Sequence, residues 1–372
     1  MKISVLQENL VLGLLRVSHC VSTKPQLPIL GNVLLKTEKG RLRLSATNLE
    51  IGINTWVGVR IEKEGAITVP ARVLTDFVSS LSAGKMGIET EGAVLKISSA
   101  SFEARFNGTG VEEFPSLTIE GVERIKGLSE EAFLKIVDRV CFAAAIDEGR
   151  PVLTGVLLTQ EGEKISAVAT DGYRLSLVTL KGGGEKEGAR RELVVPARTL
   201  FEVSRIIRGE EGEERGEIGM FLAEKNNQLV FRKGDVEVVS RLIEGRFPEF
   251  EKIIPREGET KVVWDKEELS RAIKTASIFA RDSANIVRIK IGKKECVISA
   301  NAEQVGENTS RVSGKVEGKE VEAAFNYKYL LDFMNSFEGE EVFFETGGAL
   351  SPGVFKGGED YLHIIMPVRA QG

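Results

Sequence analysis

The sequence predicts an α+β protein built from three repeated domains, each with two helices packed on antiparallel sheet. Three observations predict it. The chain has 372 residues, past the size at which one hydrophobic core keeps growing. Short motifs recur in the same order at a spacing near one third of that length. The same succession of helical and alternating apolar periodicity recurs three times along the chain.

The recurrences are specific. Val69-Pro70-Ala71-Arg72 returns 126 residues later as Val195-Pro196-Ala197-Arg198, and more loosely as Phe325-Asn326-Tyr327-Lys328 a further 130 on. Ala46-Thr47-Asn48 returns as Ala169-Thr170-Asp171 and then as Ser299-Ala300-Asn301. Phe114-Pro115 returns as Phe247-Pro248, with Met366-Pro367 taken as the third copy. One four-residue match is within chance; three collinear sets with one period are not.

Each copy has a helix early. Leu10, Leu14, Val17 and Val21 share one helical face, as do Phe133, Ile136, Val137 and Val140 behind Ser129, a candidate N-cap. In the third copy Asp265 and Glu268 have capping-box spacing before Leu269, Ala272, Ile273 and Ala276. A second helix follows each repeated motif: Leu74, Phe77, Val78 and Leu81; then Leu200, Val203 and Ile207 after Pro196; then Leu330, Phe333, Met334 and Phe337 behind Asn326. Between the helices the period is two, at Leu42/Leu44, Ile51/Ile53, Leu95/Ile97 and Phe102/Ala104/Phe106. Asp171-Gly172 reads as a hairpin turn. Stretches rich in charge, Gly and Pro near 120–126 and 250–260 suggest boundaries that divide the chain into 1–122, 123–253 and 254–372.

Composition excludes several function classes. Formal charge is −5, which argues against adhesion to nucleic acid by bulk positive charge. No apolar run approaches the roughly 20 residues of a membrane span. The N-terminus lacks the pattern of a signal peptide, so the sequons at Asn107 and Asn308 carry little weight, and a cytoplasmic location is expected. Cys20, Cys141 and Cys296 are far apart with no CxxC, as expected of reduced thiols. With only His19 and His363, no HExxH, no GxSxG and no P-loop, neither a zinc site, a serine hydrolase nor an NTPase is indicated. The glycines at 182–184 read as a loop. No cofactor, no metal and no enzymatic activity are expected, although 55 acidic residues leave carboxylate chemistry open.

The charge is unevenly spread. The six predicted helices (7–21, 71–81, 129–145, 196–208, 265–281 and 326–337) hold 12 basic and 10 acidic residues. Five of the acids lie in first turns, where the helix dipole favours them. The helix bodies are therefore basic on an acidic protein. Arg16, Arg72, Arg139, Arg198, Arg205, Arg208, Arg271, Lys274 and Lys328 form one basic surface if the helices share a side; the alternative is an ordinary solvated face.

These motifs resemble the bacterial DNA polymerase III beta subunit, the DNA sliding clamp family. The resemblance spans the chain: Leu27-Pro28-Ile29-Leu30-Gly31-Asn32, both Val-Pro-Ala-Arg segments, Ala169-Thr170-Asp171-Gly172-Tyr173-Arg174-Leu175, Gly245-Arg246-Phe247-Pro248 and Met366-Pro367-Val368-Arg369. It implies a clamp fold, in which two chains join head to tail as a six-domain ring around double-stranded DNA, without sequence preference, and hold the polymerase there. The implied DNA-facing residues are Lys24, Arg72, Arg150 and Arg198. The implied homodimer interface includes Arg105, Phe106, Ile278 and Phe279, closed by edge-strand pairing.

The resemblance also implies an apolar groove between domains two and three for short linear motifs. Its partners would be the replicative polymerase alpha subunit, the clamp loader, other polymerases and repair proteins. Matching positions are Leu153, Thr170, Gly172, Tyr173, Arg174, Leu175, Pro248, Ile253, Asn326, Tyr329, Leu350, Ile364, Met366, Pro367, Val368 and Arg369. Of Ile364 and Ile365, one is expected to face the core. Ala284 stands where a larger residue is expected, Lys252 where Arg is common, and Ala370-Gln371-Gly372 extends past the usual end. The alternative function is a three-repeat protein-interaction scaffold that does not encircle DNA.

Overall fold

The structure is a computed structural model and describes residues 1–21, 27–117, 119, 121–147, 149–181, 190–209, 216–255, 257–293, 295–358 and 360–369. Lys24, the 182–184 glycines and Ala370–Gly372 lie outside the described residues.

The first repeat runs β1 (Lys2–Leu6), α1 (Gln7–Ser18), β2 (Asn32–Glu38), β3 (Arg41–Thr47), β4 (Ile51–Gly58), β5 (Arg60–Lys63), β6 (Ala66–Pro70), α2 (Ala71–Ser79), β7 (Lys85–Glu91), β8 (Val94–Ser98) and β9 (Glu103–Asn107). The second runs β10 (Glu123–Ser129), α3 (Glu130–Val140), β11 (Gly155–Glu161), β12 (Lys164–Thr170), β13 (Arg174–Lys181), β14 (Arg191–Pro196), α4 (Ala197–Arg208), β15 (Glu217–Ala223), β16 (Gln228–Lys233) and β17 (Val236–Arg241). The third runs β18 (Thr260–Asp265), α5 (Lys266–Ala280), β19 (Ile286–Ile291), β20 (Cys296–Ala302), β21 (Gly306–Val312), β22 (Gly314–Gly318), β23 (Val321–Asn326), α6 (Tyr327–Asn335), β24 (Glu341–Thr346), β25 (Gly353–Lys356) and β26 (Tyr361–Ile365).

All six helices fall where the periodicity puts them, but α1, α2, α3 and α6 end short of the expected bounds, leaving Val21, Leu81 and Phe337 beyond the helix ends. Their starts follow the local chemistry. Asp265 accepts the Glu268 amide and Asn326 accepts the Lys328 amide, each satisfying a first-turn donor. The capping box at α5 is only half made, because the Glu268 carboxylate accepts from the Ser313 amide instead. Asp171-Gly172 turns β12 into β13 as expected, and Gly172 has φ +92°, a conformation that favours glycine.

The sheets ignore the repeat boundaries. The chain forms two compact units, Met1–Glu130 with Glu202–Leu242, and Glu131–Phe201 with Ile243–Gly372. The first unit holds a sheet in the order β5-β1-β7-β8-β9 and another in the order β10-β15-β16-β17-β4-β3-β2-β6. The second holds β14-β11-β12-β13-β26-β25-β24-β18-β22 and β21-β20-β19-β23. Each large sheet joins four strands of one repeat to strands of the next. The junctions are β4 with β17 and β13 with β26. Backbone ladders at both junctions leave no free edge there.

Cores lie between sheet and helices. In the first unit α1 packs on α2, β3 and β4 through Leu10, Leu14 and Val17. Gly13 allows that approach, since a Cβ there would stand 2.8 Å from both Leu44 and Val57. In the second unit α5 packs on α6 and on β19, β20 and β21 through Leu269, Ile273 and Ala276. Ile364 and Ile365 point to opposite faces of β26: Ile364 joins the apolar cluster on the outer face and Ile365 faces the other side, and both are buried because the sheet is covered on both faces. Met366-Pro367 is not a true third copy of Phe114-Pro115: it follows its strand β26 directly, whereas Phe247 lies six residues past the end of β17.

Candidate functional site

The site is built on the outer face of the nine-stranded sheet of the second unit. Side chains on this face alternate with those on the helix side. Leu157, Val168, Leu175, Val194, Val354 and Ile364 form a continuous apolar floor, and Phe247 packs onto it with Phe250, Ile243, Ile254 and Val152. The linker after β17 thus lies across the sheet. Phe247 and Phe250 meet edge to face at 6.5 Å.

One wall is the β12–β13 turn, which is pinned at every residue. The Thr170 hydroxyl donates to the Arg174 carbonyl at 2.6 Å and accepts the Gly172 amide at 3.0 Å. Asp171 Oδ1 accepts the Tyr173 and Arg174 amides at 2.8 and 3.0 Å. Arg150 Nη2 donates to the Asp171 carbonyl at 3.0 Å, and a Cβ on Gly172 would come within 3.0 Å of Arg150 Nη1. Arg150 therefore braces this turn.

Arg174 is the hub. Its Nε donates to Asp171 Oδ2 at 3.0 Å, Nη1 to Asp332 Oδ2 and Nη2 to the Phe142 carbonyl at 2.6 Å. The guanidinium also lies over the Tyr329 ring, 4.4 Å from its centroid. Five donors in a planar fork suit it to so many partners at once. Burial pushes the Tyr329 hydroxyl above its ordinary pKa, with the charge on Asp171 adding to the effect, so the ring presents a neutral phenol.

The second wall is the C-terminal segment. The Met366 amide donates to the Tyr173 carbonyl, and the Val368 amide to the Ala324 carbonyl, both at 2.8 Å. Residues 366–368 are thereby strung between the second and third repeats. Tyr173, Ile253, Leu350 and Met366 are large apolar side chains left exposed, and Leu350 is 68% exposed. Pro248 and Arg369 are exposed; Asn326, Tyr329, Pro367 and Val368 are half-buried.

The expected groove residues separate into three kinds. Leu153, Thr170, Leu175 and Ile364 are buried and form floor or frame, Arg174 braces, and the exposed apolar residues offer contact surface. Reading the sequence missed Phe142, Asp332, Phe247 and Val354. Only the period-two alternation of β25 could have pointed to Val354. Ala284 is exposed and, with Asn285, has φ near +60°, so the chain turns sharply there. Lys252 pairs with Glu249 and is largely exposed.

The remaining expected residues lie elsewhere. Arg72 and Arg198 are exposed at the starts of α2 and α4. Arg139 is an exception to the basic surface: it turns to Asp360 at 3.2 Å and over the Tyr361 ring, because the aromatic cluster draws its stem inward. Phe106, on the edge strand β9, is half-buried against Phe77 at 5.3 Å, while Arg105 beside it is exposed. Ile278 is 56% exposed on α5 and Phe279 half-buried. No cluster of metal-ligating side chains exists among the described residues, and no described helix is long and apolar enough to cross a membrane.

Three repeats of two sheets and two helices, with sheets shared across repeat boundaries and a braced apolar trough, define the DNA clamp class. Profiles of the DNA polymerase III beta subunit match the chain throughout: the N-terminal domain over 1–118, the central domain over 127–249 and the C-terminal domain over 251–369. The chain belongs to that family, and its function is that of a sliding clamp. It is 29% identical to the beta sliding clamp of Synechococcus elongatus over 99% of both chains, and 28% identical to that of Escherichia coli K12 over 99% of this chain and 100% of that one. The crystal structure of the Bacillus subtilis DNA polymerase sliding clamp superposes with a TM-score of 0.94 at 26% identity, covering both chains fully. The Pseudomonas aeruginosa DNA polymerase III beta subunit gives 0.92 at 28% identity over 99% of this chain and all of that one.

Proposed function

We propose that two copies of this chain close head to tail into a ring that encircles duplex DNA and tethers the replicative polymerase to it. Residues 1–122, 123–253 and 254–372 are its three domains in this reading. The observation that carries the proposal is a pair of unsatisfied edges. Within the chain, the strand that ends one repeat's first sheet pairs with the strand that ends the next repeat: β4 with β17, and β13 with β26. The equivalents left over are β21 and β9, and both stand at sheet edges. A second copy that offers β9 to β21 repeats the same junction and uses both edges twice.

The register follows from the two junctions present. Ile53 stands opposite Val238, and Ser176 opposite His363. Across the hairpins, Ile53, Ser176 and Thr309 all face the repeated marker residues Ala46, Ala169 and Ser299. Val238, His363 and Ala104 all face Phe231, Phe355 and Ile97, the buried residues of the preceding strands. Thr309 therefore pairs with Ala104 of the second copy, and Asn308 with Arg105 of the second copy. Phe106 and the α5 pair Ile278 and Phe279 flank this ladder.

A closed ring holds DNA by topology, so its phosphate contacts are few, weak and indifferent to sequence. Arg72, Arg198, Arg150 and Lys24 are assigned to that role, on an otherwise acidic protein that does not bind DNA on its outside. No catalytic group is needed. The trough around Leu175, Tyr173 and Met366 takes short apolar motifs of the polymerase alpha subunit, the clamp loader, other polymerases and repair proteins; such a site suits weak, exchangeable partners. The protein works in the cytoplasm.

The test is retention on DNA. Loaded on a nicked circle, the protein stays bound in high salt and is lost when the circle is cut. Equal loss from circular and linear DNA would refute encirclement and favour a scaffold.

A further inference from the structure

The first repeat carries a hollow at the place where the second carries the trough. Its linker, Val111 to Leu117, lies across the outer face of β2, β3 and β6 as the linker around Phe247 lies across the second repeat. Phe114 packs on Ile29, Leu30 and Leu34. Leu117 sits over Gly52, where a Cβ would come within 2.5 Å of it. A hollow of about 200 Å³ remains between linker and sheet, lined by Leu34, Lys36, Arg43, Ser45, Ala66, Val111 and residues 114–117.

The chemistry of the two places differs. The floor pair in the second repeat is Leu157 with Val168. The equivalent pair here is Leu34 with Ser45, and the next pair along is Lys36 with Arg43. Arg43 is 8% exposed. Its Nη1 pairs with Glu38 at 2.9 Å, but its Nε is buried without a hydrogen-bond partner. Lys36 is exposed and has no ion-pair partner among the described residues. Two cations thus line the hollow with no carboxylate among its lining residues; behind them Arg43 Nε and Glu38 Oε2 are both buried without a hydrogen bond. An anion in the hollow gains charge-assisted hydrogen bonds from these two side chains, which are stronger than neutral ones.

We infer that this hollow is a second peptide pocket, one that takes a carboxylate side chain next to an apolar one. The carboxylate accepts from Arg43 and Lys36, and the apolar neighbour lies on Leu34, Ala66 and Val111. The volume decides for a peptide side chain over a free metabolite, because small-molecule sites are typically about 300–1,000 Å³. The choice of a peptide also rests on reading the second repeat's trough as a peptide site.

The test uses the full-length protein and two synthetic probes, acetyl-Gly-Leu-Asp-Gly amide and its Asn twin, followed by saturation-transfer NMR. The Asp probe binds, and the Asn twin binds roughly tenfold more weakly, the scale of one charge-assisted hydrogen bond. Lys36→Gln, a change at an exposed side chain that leaves folding intact, weakens the Asp probe several-fold, and Arg43→Gln weakens it further. Met366→Asp, which blocks the second repeat's trough, leaves it unchanged. Equal binding of the twins, no effect of Lys36→Gln, or no binding of the Asp probe at all would overturn the proposal. Loss of binding in Met366→Asp would also overturn it and would assign the probe to the trough, whose own role would then stand.

Discussion

The Arg174 guanidinium, on strand β13 of the second repeat, stacks 4.4 Å above the ring of Tyr329, on helix α6 of the third. The same group reaches Asp332 on that helix and the Phe142 carbonyl behind α3. A side chain only 10% exposed therefore ties two repeats together at the edge of the trough.

Replacing it tests both jobs. Arg174→Ala leaves Asp171 and the Phe142 carbonyl short of a donor and unties α6. Breaking a buried ion pair costs about 3–5 kcal/mol; Asp332 is 42% exposed, so the loss here is about 2–3 kcal/mol after screening. Denaturant titration reads it. Arg174→Lys recovers little, because an ammonium cannot serve three acceptors and a ring at once.

The C-terminal segment is a wall of the trough, and its backbone bonds go to Tyr173 and Ala324, not to β9 or β21. Deleting Met366–Gly372 removes the ladder to Tyr173 and Ala324. Binding of a polymerase-derived peptide is expected to weaken at least tenfold in a calorimetric titration, with the dimer mass unchanged in solution. Unchanged peptide affinity would remove this segment from the site.

The predicted ring register is checked by cross-linking. Antiparallel partners stand about 4.5–5.5 Å apart at Cα, within disulfide range. The double variant Ala104→Cys, Thr309→Cys should oxidise to a covalent dimer on a non-reducing gel. Moving the second cysteine to Ser310 turns its side chain to the opposite face and should abolish the product. Equal products from both variants would refute the register.

His363 gives a pH test. Its Nδ1 meets the Ser176 hydroxyl at 2.6 Å, its ring stacks on Phe333, and burial, with the Arg174 charge adding, pulls its pKa down to about 3. The unfolded chain takes up a proton near pH 6.5 and the folded chain does not. Its contribution is therefore complete above pH 6.5 and declines as pH falls from there towards 3, at about 1.4 kcal/mol per pH unit. His363→Gln should flatten the stability profile over that window relative to the parent; parallel profiles would contradict a neutral buried imidazole.

Much of this was legible in the chain itself. Helix positions follow from period 3.6, because each helix buries one stripe: Leu10, Leu14 and Val17 in α1, Leu269, Ile273 and Ala276 in α5. The turn at Asp171-Gly172 follows from the need for a positive φ. The family motifs alone point to Tyr173, Arg174 and Met366 as one site.

Sequence alone settled the threefold plan and the placing of the helices and strands, because those are set by local periodicity and turn chemistry; the trough residues came from the family resemblance. Folding in three dimensions decided which strand completes which sheet, and so joined β13 to β26 and left β9 and β21 open. It also placed Asp332 and Phe142 on Arg174, and left a buried guanidinium nitrogen unmet under the first linker. The strand junction and the Asp332 contact join residues more than a hundred positions apart, and the Phe142 contact spans 32; no local pattern encodes them.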